Sequence, residues 1–332
     1  MNGKKIIIIC SIIGLIFVFF MYSKIDRNEL ITIFSNIDLR ILALYIFVVF
    51  LEDLLFVIRW NIILKSNNIH IPLYRLFFYN LSGFAGGFLL SQSYLGGEPF
   101  RIMLLQKHDV PLKTAVSTQI IDRTVQMTTD LIFNITIIII ILIHFSVSAN
   151  LKVIFGLAII LPVALISLYY YSMIKRKPFF SAVFMHTKHL QNFARKIKDV
   201  EKIVQDFFSQ HSNTLPWVYS INLVLLALLL VEYRLLLSLF GIPGMIISIL
   251  ITILGMGFSY SIPVPMALGT LEVSEVALLA LVNVGRATAV ALSLFVRLKD
   301  IIRSTIGLVS LLFFGVGWRQ IRGKFFKIRV FL

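Results

Sequence analysis

A chain of 332 residues with 58% hydrophobic content and a mean hydropathy of +0.92 is too apolar for a soluble domain. Its net charge of +15 would suit nucleic acid, but no nucleic-acid motif accompanies it, and the bases gather between apolar runs as the positive-inside rule expects. The single cysteine, Cys10, excludes an intramolecular disulfide and a Cys-rich metal site.

Apolar runs fall at 5–22, 39–64, 72–92, 115–144, 152–174, 215–240, 244–262, 264–284 and 287–317. Many are about 20 residues or longer, enough to cross roughly 30 Å of hydrocarbon. Backbone groups in lipid need internal partners, so the runs predict helices, and the period-2 pattern of a barrel is absent. The first run follows Lys4 and Lys5, lacks an A-x-A cleavage site and reads as a retained helix with its N-terminus in the cytoplasm. The loop at 23–40 balances Lys24, Arg27 and Arg40 against Asp26, Glu29 and Asp38, and suits the outside. Arg59, Lys65, Arg75, Arg101, Lys107, Lys113, the basic segment 175–213 and the tail from Arg319 to Arg329 belong inside.

With both termini cytoplasmic, the crossings must be even in number, about eight. The run 72–92, interrupted by Gly83, Gly86 and Gly87 and ending at Gly96-Gly97-Glu98-Pro99, is therefore expected to be re-entrant. In segment 175–213, Phe179, Phe180, Ile197, Val200, Val204, Phe207 and Phe208 recur at helical spacing with bases between them. That pattern predicts an amphipathic helix or helix pair on the cytoplasmic membrane surface.

The chain also repeats itself. At an offset of 174 residues, Gly83-Phe84 falls on Gly257-Phe258, Glu98 on Glu272, Leu104-Leu105 on Leu278-Leu279 and Val110 on Val284. Thr114-Ala115-Val116 falls on Thr288-Ala289-Val290, and Arg123 on Arg297. Each copy, about 72–144 and about 246–317, has a broken apolar segment, an acid, and a base 25 residues later on a long helix. The breaks are Gly96, Gly97 and Pro99 in the first copy and Pro263, Pro265 and Gly269 in the second. Loop charges give the two long helices opposite directions, an inverted repeat of the kind secondary transporters use.

A charge at a helix centre costs about 2.5–3.5 kcal/mol on insertion scales, so such residues persist when paired, hydrated or functional. Glu98 with Arg123 and Glu272 with Arg297 stand out by recurring at one spacing beside broken backbone. Asp122 and Asp130 lie roughly on one helical face, placed to orient Arg123 or to carry a proton. Arg59, next to Trp60, is expected to snorkel to the interface, and Glu232 and Arg234 to pair with neighbours or sit in a wet crevice. For all of these, a structural ion pair is the competing explanation. No phosphate-binding G-x-x-x-x-G-K-[ST] loop is present, and the six histidines form no metal motif, so neither ATP hydrolysis nor a metal or other cofactor is expected.

The blocks Leu95–Asp130, which contains Leu-Gly-Gly-Glu-Pro-Phe-Arg and Asp-Arg-Thr-Val, and Pro263–Gly285, followed by Leu-Phe-Val-Arg-Leu-Lys-Asp, carry a resemblance. They look like the flippase-like membrane domain of lysylphosphatidylglycerol synthases and of the stand-alone UPF0104 membrane proteins. The resemblance implies movement of a lipid or lipid-linked head group between leaflets, and a binding set of Glu98, Arg101, Arg123, Asp130, Glu272 and Arg297. Two positions depart from the family pattern: Met266-Ala267 replaces a Gly-Gly, and Asp122 replaces a Glu. The chain ends at Leu332 without the synthases' aminoacyl-transferase domain, so lysyl transfer is not implied.

The expectation is a single all-α polytopic membrane domain over 1–332, in the cell membrane, acting on lipids with charged or phosphate head groups. It is expected to be a translocase and not an enzyme. A small-solute or ion transporter and a membrane lipid-modifying enzyme are the alternatives.

Overall fold

The computed structural model describes residues 27–89, 96–144, 149–181, 191–210, 213–242, 244–262 and 264–314. The expected span at 5–22, Pro263, the middle of segment 175–213 and the basic tail lie outside them. Eleven α-helices and no strand occur among the described residues: α1 (Arg27–Ser35), α2 (Leu39–Ser66), α3 (Leu73–Leu89), α4 (Glu98–Leu105), α5 (Leu112–His144), α6 (Ala149–Ile174), α7 (Gln191–Gln210), α8 (Leu215–Leu239), α9 (Ile246–Ser261), α10 (Thr270–Leu279) and α11 (Arg286–Phe313). This is an all-α membrane protein.

Among the described residues, three helices are long and apolar enough to cross a bilayer by themselves: Leu39–Ser66, Leu112–Ile140 and Leu215–Leu239. The isoleucine run of α5, a poor helix former in water, is helical because an apolar solvent leaves its backbone no other partner. Polar residues of α5 hide their hydroxyls against the preceding turn: Thr124 donates to Ile120 O, Thr128 to Thr124 O and Ser117 to Lys113 O, at 2.7–2.8 Å. Leu44, Ile46, Phe47 and Phe50 of α2 and Leu298, Ile302, Val309 and Leu312 of α11 are exposed, as a lipid-facing surface requires.

The chain forms two compact units. In the first, residues 27–54, 77–101 and 226–314, α10 packs on α9 and α11, and α11 on α1. Phe34, Phe240, Phe295 and Tyr45 join α1, α8, α11 and α2 by edge-on ring contacts 5.4–6.0 Å between centroids. Ser82 of α3 donates to Gly307 O of α11 at 3.1 Å.

The second unit, Leu55–Leu76 and Ile102–Leu225, is built on α5, α6 and α7, which pack pairwise. Its core holds Ile63, Ile121, Val125, Tyr169, Met173, Val204, Phe207 and Val218. A hydroxyl ladder crosses it: Thr124 with Tyr169 at 3.1 Å, Thr128 with Tyr170 at 2.9 Å and Tyr170 with Tyr219 at 2.7 Å. Val200, Val204 and Phe207 put the apolar face of α7 into this protein core. The carboxylate of Glu201 on the same helix accepts from Phe179 N at 3.0 Å, Phe180 N at 2.5 Å and Ser181 N at 3.2 Å, with Ser181 Oγ on its other oxygen at 2.5 Å. Lys113 donates to the exposed Asp199 at 2.6 Å, and this bond holds the Asp199 carboxyl below the usual carboxylate range.

The 174-residue offset reappears in the element boundaries. The 3-10 turn Gln106–His108 falls on the 3-10 turn Ala280–Val282. The left-handed Asp109 (φ 57°) falls on the left-handed Asn283 (φ 60°), and the first residue of α5 on the first of α11.

Candidate functional site

In the second copy, the chain leaves α9 at Ser261 and re-enters helix at Thr270. Between them Met266 (φ 56°), Ala267 (φ 50°) and Gly269 (φ 80°) are left-handed, a region that costs a residue with a Cβ about 1–2 kcal/mol. This backbone points two carbonyls at one cation: Arg297 Nη1 donates to Met266 O at 2.8 Å and Nη2 to Ala267 O at 3.0 Å. The same guanidinium grips Glu272 bidentately, Nε to Oε1 at 2.6 Å and Nη2 to Oε2 at 2.7 Å. Glu272 lies in the first turn of α10, where an acid suits the helix dipole, and also accepts from Gly269 N at 3.0 Å. Glu272 is fully buried and Arg297 nearly so. The expected pair therefore exists and closes the break over itself.

The first copy is built on glycine. α3 ends at Leu89, and Gly97 lies back against the middle of α3: a Cβ there would sit 2.5 Å from Gly83 O. A Cβ on Gly83 would in turn lie 2.7 Å from Arg101 Nε, so the bare backbone makes room for the guanidinium. α3 and α4 thus lie side by side, with the buried Glu98 opening α4. Arg101 donates to Asn80 Oδ1 at 2.5 Å, Asn80 Nδ2 to Asp53 Oδ1 at 3.4 Å, and Arg303 Nη2 to the same oxygen at 2.5 Å. Arg303 also lies 4.3 Å over the ring of Phe84.

A further polar group in this unit was not singled out as a site by sequence. Lys299 donates to Glu232 Oε1 at 2.8 Å, Tyr45 OH donates to the same oxygen at 3.0 Å, Glu52 lies beside Glu232, and Tyr260 donates to Asp300. Glu232 thus has the neighbours expected of it, while Arg234 donates to Ser238 at 2.7 Å. The usable signal was the positions 299, 300 and 303, neighbours on one helical face of α11. Nothing in the sequence marked their partners, 40 to 250 residues away.

The second unit holds Arg123 and Asp130, and it corrects one expectation. Arg59 does not snorkel: it is fully buried, donates to Asp122 Oδ1 at 2.9 Å and to Asn222 Oδ1, and lies 4.4 Å over the Phe56 ring. Asp122 is thus the ion-pair partner of Arg59. Asn222 also donates to Thr129, which ties the pair to a neutral hydrogen bond. Arg123 is only partly buried and donates to Gln126 at 2.9 Å. Asp130 is partly buried within electrostatic reach of Arg59 and Arg123. Among the described residues no cluster of three metal-ligating side chains occurs.

A family model described as the lysylphosphatidylglycerol synthase TM region matches residues 6–321. The chain belongs to that family. No curated protein and no solved structure matches it. As a lysylphosphatidylglycerol synthase TM region, it is a membrane domain of lipid-related function. Its departure at Met266-Ala267 now has a physical meaning: both residues hold positive φ, the backbone that Gly-Gly adopts without strain.

Proposed function

We propose that the chain moves a lipid or lipid-linked head group between leaflets. The observation that carries this reading is the duplicated hairpin: two apolar helix pairs at one offset in the chain, each resuming helix beside a glycine and each met by a buried or nearly buried arginine, Arg101 from within the first pair and Arg297 of α11 at the second. A head group crossing the bilayer needs polar contacts that lipid tails cannot supply, and family membership favours a lipid over a free solute. In this reading both termini are cytoplasmic, the repeats are inverted and the molecule is a translocase in the cell membrane, not an enzyme.

The roles follow from the exposure and the partners of each side chain. In the second unit Arg123, partly exposed, offers the head-group phosphate a charge-assisted bond, with Asp130 in electrostatic reach. Arg101 and Arg297 are held by Asn80 and by Glu272 with two carbonyls, and become available when their hairpins shift. Glu98 and Glu272 compensate the arginines or bind a cationic head group.

Leaflet exchange of a labelled anionic phospholipid in proteoliposomes tests the reading. A charge-assisted hydrogen bond is worth about 1.5–3 kcal/mol, so Arg123→Ala is expected to slow exchange by roughly 10–100-fold while the melting temperature moves little. Wild-type protein that leaves exchange at the rate of empty vesicles overturns the proposal.

A further inference from the structure

Glu275 lies one turn past Glu272 on α10 and has none of its neighbour's company. It is fully buried, and neither carboxyl oxygen has a hydrogen-bond partner among the described residues. The carboxyl lies close against α9: a Cβ on Gly255 would fall 2.8 Å from Glu275 Oε1, so the glycine lets the carboxyl rest against the α9 backbone as it does. Ser259, one turn further along α9, is committed to Gly255 O at 2.6 Å and to Ser274.

The charges around it are committed elsewhere. On α11, Arg297 is held by Glu272, Lys299 by Glu232, Arg303 by Asp53, and Asp300 accepts from Tyr260 of α9. Tyr233 of α8 lies within electrostatic reach, and among the described residues no charged neighbour acts on Glu275. In so dry a place an ionised carboxylate is far costlier than the neutral acid.

We propose that Glu275 is a proton-binding site of the α9–α10 hairpin. It holds its proton as a carboxylic acid while the hairpin is closed. When the hairpin opens to water the O–H bond breaks, the proton passes to a water molecule as hydronium, and the electron pair stays on the carboxylate; closure requires the reverse transfer. The left-handed backbone at Met266 and Ala267 supplies the joint. The role in transport rests on the translocase reading above, and names the proton as the coupled ion.

The test uses the full chain, wild type and Glu275→Gln, in lipid nanodiscs and in proteoliposomes. Infrared spectra at neutral pH are expected to show the carbonyl band of a protonated carboxylic acid free of hydrogen bonds, lost in Glu275→Gln. Identical spectra overturn the proposal. Should the Gln variant fail to fold, Glu275→Leu, which removes the orphaned polar atoms, serves for the same subtraction. In proteoliposomes, a transmembrane pH gradient is expected to change wild-type lipid exchange several-fold and to leave the Glu275→Gln rate unchanged. Wild-type exchange indifferent to the gradient overturns the coupling and leaves the translocase reading standing. Wild-type protein without exchange removes the translocase reading and the coupling built on it, and the infrared comparison alone then decides the proton site.

Discussion

Two arginines of the second unit differ in what their loss would leave behind. Arg59→Ala strands the buried carboxylate of Asp122 and breaks the Asn222 bond, and such a loss costs about 3–5 kcal/mol. We expect that variant to fail in thermal-melt and gel-filtration assays. Arg123→Ala acts from a partly exposed position where water can reach the groups it leaves, and is expected to lower the melting temperature less than Arg59→Ala does. At the break, Met266→Gly and Ala267→Gly relieve left-handed strain and are expected to stabilise by about 1 kcal/mol each, read as a higher melting temperature. The Glu272–Arg297 pair was legible because the sequence repeats its spacing. The Arg59–Asp122 pair was not. Arg59 sits near the end of an apolar run, but α2 continues to Ser66, which leaves the guanidinium about two turns short of the helix terminus and inside protein.

At the level of elements, the long apolar runs within the described residues became helices, since period and length dictate that in an apolar solvent, while the run 264–284 kept only the ten-residue α10 between two 3-10 turns. The partner of an amphipathic face was not so dictated. A stripe of Val200, Val204 and Phe207 states that α7 covers something apolar, and both lipid and protein satisfy it; α5 and α6 are what it covers. Glu201 fixes that docking by accepting from three backbone N–H groups at 179–181. Glu201→Ala is expected to cost about 2 kcal/mol and to raise amide exchange across 191–210 without altering the helices of the first unit. Unchanged exchange in α7 would show that apolar packing alone holds it.

For the whole molecule, the two copies make a directional claim. Lys107 and Leu281 occupy equivalent positions at the 174-residue offset, and both are exposed. In an inverted repeat they face opposite sides of the membrane. In a Cys10→Ala background, Lys107→Cys is expected to react with an impermeant thiol reagent only from the cytoplasmic side and Leu281→Cys only from outside. Reaction of both from one side ends the inverted reading. The matched turns at Asp109 and Asn283 carry one more consequence. A helix advances about 100° per residue, so the short link through Asn283 acts as a gear tooth setting the rotational phase of everything after it. One extra residue there would swing Arg297 a quarter-turn or more off the axis that meets Glu272, while leaving every side chain chemically intact. The repeat has kept its two copies aligned through this turn without a gap, and timing of that kind tolerates substitution far better than it tolerates insertion.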